Sequence, residues 1–138
     1  MDYPENFLRG LSADDCVSDG IPTAAAFQFH FEPDLMKDGC ATNSIGWEDD
    51  GNVVDLLMKQ QKDGQTQFKA GLARFKRDSI DHIMKLPTYR GILSYDRQPL
   101  EGNQYHGNIL VSNTSTKYQR RVIPGVIASL FTEIIPRT

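Results

Sequence analysis

Apolar and polar side chains alternate from Ala26 to Phe31, with Phe27, Phe29 and Phe31 on one side and Gln28 and His30 on the other. A period of two is that of a half-buried strand, so the segment predicts a strand covering a core. Phe7-Leu8-Arg9-Gly10 predicts a short opening strand, and Ser12 is placed to cap a brief helix over Ala13 to Val17 that Gly20 and Pro22 end. Thr42 to Trp47 predicts another strand, with Asn43, Ile45 and Trp47 on a common face. Asn52 followed by Asp55 is an N-cap signal, and Val53, Val54, Leu56, Leu57 and Met58 give the helix a broad apolar face running to Asp63-Gly64.

Alternation returns from Thr66 to Phe75, and Ile80, Ile83, Met84 and Leu86 predict a short helix stopped by Pro87. Arg90 to Tyr95 and Tyr105 to Ser112 read as two strands of a wide hairpin. Near the C-terminus Val122, Val126 and Leu130 stand four apart with Ile123, Ile127 and Phe131 beside them, a helical stripe that Pro124 either begins or kinks. Without regular strand–helix alternation the pattern predicts a single α+β domain over residues 1–138. Its sheet has about five or six mostly antiparallel strands, and its three or four helices pack on one face, the C-terminal helix among them. A mixed sheet with one parallel crossover through the Asn52 helix is the alternative. Phe27, Phe29, Ile109, Val111, Leu57 and Val126 are expected to share one core.

Composition narrows the class. With 138 residues, 39% hydrophobic and 24% charged, the chain is long enough for one core, too apolar for a disordered polymer and too interrupted by charge for a membrane protein. Met1-Asp2-Tyr3-Pro4 carries no basic, greasy leader, so a cytoplasmic location with no membrane association is expected. Cys16 and Cys40 lack a second pair for a zinc site and read as reduced thiols. A net charge of −3 argues against nucleic acid as the main ligand. Lys117, Arg120 and Arg121, with Lys76 and Arg77, form the nearest thing to a basic patch, and a solvated face is the simpler reading of them.

Phosphate-binding glycine loops, nucleophile elbows and zinc or calcium signatures are missing from the sequence, so no metal and no cofactor is expected. The most suggestive stretch is Asn103-Gln104-Tyr105-His106-Gly107-Asn108-Ile109, which sets a histidine, amides and a glycine at the entry to an apolar strand. His106 there is the candidate catalytic residue, with Asn103 and Asn108 as ligand contacts. The plainer reading has all three satisfying turn backbone. Arg9-Gly10 and Arg90-Gly91 are two similar corners whose arginines could clamp an anion. His30 and His82 read as ordinary hydrogen-bonding side chains, and Glu48-Asp49-Asp50 as a turn whose charge favours the following helix N-terminus.

Leu8-Arg9, Gly20-Ile21-Pro22-Thr23 running into Ala26-Phe27, Ser44-Ile45-Gly46-Trp47, and Pro99 with Asn103, His106 and Ile109 before a basic C-terminal helix form an ordered set spanning about Phe7 to Leu130. In this order the chain resembles small bacterial proteins of unknown activity carrying an N-x-x-H-x-x-I motif, departing from them at Gln104 and Gly107, where their pattern has proline and then alanine. The resemblance implies a fold grouping and no mechanism. The leading expectation is a non-enzymatic binding or accessory protein of a bacterial or phage system. It would contact another protein through the Asn103–Asn108 loop and the basic C-terminal segment. A homodimer through the C-terminal helix, whose stripe ends at Phe131, Ile134 and Ile135, is expected beside it. The competing expectation is an enzyme or a nucleotide- or anion-binding protein with a pocket around His106, Arg9 and Arg90.

Overall fold

The computed structural model describes residues 4–29, 40–48, 52–96, 106–112 and 117–136, with the backbone alone described at 52, 106 and 117–121. In chain order the elements are β1 (Asn6–Gly10), a 3-10 turn at Asp14–Cys16, β2 (Val17–Ser18), β3 (Ile21–Pro22) and a second 3-10 turn at Ala24–Phe27. There follow β4 (Cys40–Glu48), α1 (Asn52–Lys59), β5 (Gln61–Lys62), β6 (Gln65–Thr66), β7 (Leu72–Lys76) and α2 (Arg77–Lys85). The last are β8 (Leu93–Tyr95), β9 (His106–Ser112), α3 (Lys117–Ala128) and β10 (Phe131–Ile135). Among the described residues six strands form one sheet in the order β10-β7-β1-β4-β9-β8, and every neighbouring pair is antiparallel. This is the expected α+β architecture. Because β4 and β7 both run antiparallel to β1 between them, they are parallel to each other, and α1 makes the crossover from one to the other over β1. The strands joined by this crossover are not neighbours, so the ladder stays wholly antiparallel.

Consecutive apolar residues in β1 (Phe7-Leu8) and β7 (Leu72-Ala73) commit these strands to burial on both faces. On one face Phe7, Ile45, Trp47, Ala73, Phe75, Ile109 and Val111 pack with Ile80 of α2 and with Ile123 and Ile127 of α3. Leu8 and Leu72 point the other way and are covered by Val53 and Leu57 of α1. Helices therefore lie on both sides of the sheet, not on one. Leu57 belongs to the second layer, while Phe27, Phe29, Ile109 and Val111 share the first and Val126 packs against it.

Phe27 and Phe29 are buried as expected, but not from a strand. Ala24–Phe27 is a 3-10 turn closed by the Ala26 N–H on the Thr23 carbonyl, and residues 30–39 lie outside the described set. Three alanines offer no β-branched or bulky surface to a ladder, and Phe27 instead meets Phe75 edge-on at 5.2 Å. Ser12 caps nothing: the first 3-10 turn follows Ala13 and has no side-chain cap. Helix α1 stops at Lys59, and Asp63-Gly64, both at positive φ, form the turn of the β5–β6 hairpin instead. The alternation from Thr66 to Phe75 is broken at Gly71, whose φ of +97° turns the chain into β7. The C-terminal stripe splits too. α3 ends at Ala128 with Pro124 in its interior, and Phe131, Ile134 and Ile135 pair with β7 in the edge strand β10. The run Phe131-Thr132-Glu133-Ile134-Ile135, aromatic at its start and β-branched at Thr132, Ile134 and Ile135, suits a ladder better than a helix. Both cysteines are free, and no helix among the described residues is long and apolar enough to cross a membrane.

Candidate functional site

β1 pairs with β7 along its whole length, from Asn6–Lys76 to Gly10–Leu72, but with β4 only from Asn6–Glu48 to Leu8–Gly46. Past that point the two strands part, and the side chain of Arg9 spans the opening. Its Nη1 donates to the carbonyl of Ser44 at 2.6 Å, a solvent-exposed contact, while Nε donates to the Ala26 carbonyl at 2.8 Å and Nη2 to Asn43 Oδ1 at 3.2 Å. The guanidinium carbon stands 5.6 Å from the centre of the Phe27 ring. All these partners are neutral. Loss of solvent pushes the Arg9 pKa down to about 10, opposed by the neighbouring Cys16. The group remains a cation at neutral pH.

Arg74 shows what a matched arginine looks like in this protein. Its Nε and Nη2 each donate to Glu48 at 2.7 Å, Nη1 reaches Glu133, and these carboxylates raise its pKa. No carboxylate among the described residues does this for Arg9. Buried charges are ordinarily paired, because removing one from water costs several kcal/mol, roughly, unless another group replaces the hydration. Beside it Asn43 is 6% exposed, and its Nδ2 has no hydrogen-bond partner among the described residues.

A cleft of about 230 Å3 opens where β1 and β4 part. Arg9, Gly10, Ser44 and Gly46 form its strand side, Leu57 and Gln60 come from the end of α1, and Gln67 and Phe68 from the segment after the β5–β6 hairpin. Gly10 is required here by close approach, since a Cβ on it would lie 2.1 Å from the Phe68 ring. Ser12 and Gln67 also line a more open hollow next to the cleft, bordered by Lys62, Lys69 and Asp63. Among the described residues the cleft's lining thus combines apolar walls, neutral hydroxyl and amide groups, and one cation. Among the described residues no group of three or more histidine, cysteine or acidic side chains could hold a metal.

Of the residues singled out from sequence, Arg9 lies in this cleft, while His106 and Asn108 are on the adjoining strand. His106 stands opposite Gly46 in the β4–β9 ladder and Asn108 opposite Ser44. Asn108 is engaged structurally: its backbone N–H donates to Asp96 Oδ1 at 2.9 Å and its Nδ2 to Asp96 Oδ2 at 3.2 Å, closing the β8 end of the hairpin. Arg90 is elsewhere, exposed in the turn after α2, with Nη2 on the Lys85 carbonyl at 3.3 Å. Asn103, His30, Asp49 and Asp50 lie outside the described residues, and His82 is exposed on α2. Ser44, Gln60, Gln67 and Phe68 escaped the sequence reading because their contribution depends on strand divergence, which no local pattern encodes. Glycines inside two apolar strands, Gly10 and Gly46, were the available signal. Comparison with protein-family models, curated proteins and solved structures gives no match.

Proposed function

We propose that the chain is a non-enzymatic binding protein, cytoplasmic, that seats its ligand in the cleft between the parted ends of β1 and β4. The observation that supports it is Arg9, a solvent-depleted cation lining a cleft and bonded, among the described residues, to neutral groups alone. Arg9 is the residue shared with the anion-pocket expectation, whereas Arg90 is anchored to a different part of the fold. An accessory role through contacts with another protein fits the same cleft if the partner inserts a chain end or side chain. The Asn103–Tyr105 part of the loop expected to make that contact, and the side chains of Lys117, Arg120 and Arg121, are outside the described residues. A homodimer through α3 belongs to the same proposal, with Val122, 38% exposed, as its described apolar contact. Sedimentation giving only monomer at high micromolar concentration removes the dimer.

The test of binding is a thermal-shift screen of charged and neutral small molecules against the wild type and Ser44→Trp, which fills the cleft from an exposed strand position. Compounds that raise Tm in the wild type and not in Ser44→Trp support the reading. A screen without any such compound overturns it.

A further inference from the structure

We infer that the cleft is specific for a carboxylate carried on a small apolar body. This rests on the binding reading and adds the chemistry of the ligand.

A guanidinium has five N–H donors, of which Arg9 uses one on Nε, one on Nη1 and one on Nη2. Among the described residues nothing is paired with the second N–H on either terminal nitrogen, and a guanidinium binds a carboxylate through such donors. Among the described residues that line the cleft Arg9 is the one cation, a match in charge for a carboxylate. Lys62 and Lys69, against the single Asp63, border the hollow that shares Ser12 and Gln67 with the cleft, so an approaching anion meets a locally positive rim on a chain of net charge −3.

Leu8, Leu57 and Phe68 supply the apolar walls. The volume of about 230 Å3 is below the ~300 Å3 at which pockets for drug-sized ligands begin, so one ring or one branched side chain fills it. Two sources offer this chemistry: a free small acid, and the C-terminal residue of a polypeptide with an apolar side chain.

The experiment is calorimetric titration of the intact protein with two matched pairs, benzoate against benzamide and N-acetyl-leucine against its primary amide, with inorganic phosphate as a fifth probe. At least one acid is expected to bind at least tenfold more tightly than its amide. Preference for N-acetyl-leucine over benzoate identifies a chain terminus as the source, and the reverse preference identifies a free acid. Arg9→Lys, which keeps the charge and loses the planar set of guanidinium donors, should weaken the favoured acid at least tenfold. Ser44→Trp should abolish its binding, and serves if Arg9→Lys does not fold. Equal binding of acid and amide would overturn the carboxylate inference while leaving the binding reading in place. Phosphate binding without either acid, or no binding by any of the five, would overturn it as well, the binding reading then standing or falling on the separate screen.

Discussion

The Arg9 guanidinium donates to the Ser44 carbonyl at 2.6 Å, just beyond the Leu8–Gly46 pair where β1 and β4 stop pairing. A side chain here takes the place of a backbone donor. It ties two diverging strands to the 3-10 turn through the Ala26 carbonyl, and it leaves a cleft over the divergence that a charged group borders.

Replacing Arg9 with methionine keeps much of the apolar stem and removes every donor. The carbonyls of Ala26 and Ser44 and the Oδ1 of Asn43 then lose their partners, against which the relief of a poorly hydrated charge is a partial offset. A net loss of about 1–3 kcal/mol is expected, measured by urea unfolding. An unchanged midpoint would mean that these bonds contribute nothing net.

Binding of an acid should be independent of pH between about 6 and 8.5. Burial depresses the Arg9 pKa to about 10, so the folded protein carries the charge below that value and loses it only as pH rises through it, and the ligand carboxylate is ionised throughout. Titrations at three pH values across this range check this, and an affinity that changes within it would contradict the role of Arg9.

Gly107 faces the indole of Trp47, and a Cβ at this position would come within 2.3 Å of Trp47 Nε1. Both residues are buried in the sheet. Gly107→Ala is expected to cost about 1–3 kcal/mol through overpacking, read from thermal or urea unfolding. The effect should be on stability, with acid affinity in the folded fraction nearly unchanged, because Gly107 does not line the cleft.

The strands were legible where period-two patterning coincided with a real ladder, as at Asn43, Ile45 and Trp47 in β4, or where an apolar run met turn residues, as at the β8–β9 hairpin. The pattern misled at Ala26–Phe29, because alternation reports which side chains are buried and not whether the backbone has a partner strand. It misled again at Phe131, Ile134 and Ile135, where a helical spacing continued past Ala128 into aromatic and β-branched residues that pair with β7. Arg9 was legible as an unusual charge in an apolar strand. Its cleft was not, since the Ser44, Gln60 and Phe68 that surround it come from β4, from the residue after α1 and from the segment after the β5–β6 hairpin.

The most direct test of the cleft is a two-dimensional 15N NMR titration with benzoate, following the backbone amides and the Arg9 Nε–H. The account predicts saturable shifts of Arg9 Nε–H together with the amides of Gly10, Ser44, Gly46 and Gln67, all absent in Ser44→Trp. Shifts confined to Arg90, Asp96 and Asn108, or no saturable shift at Arg9 Nε–H, would contradict it.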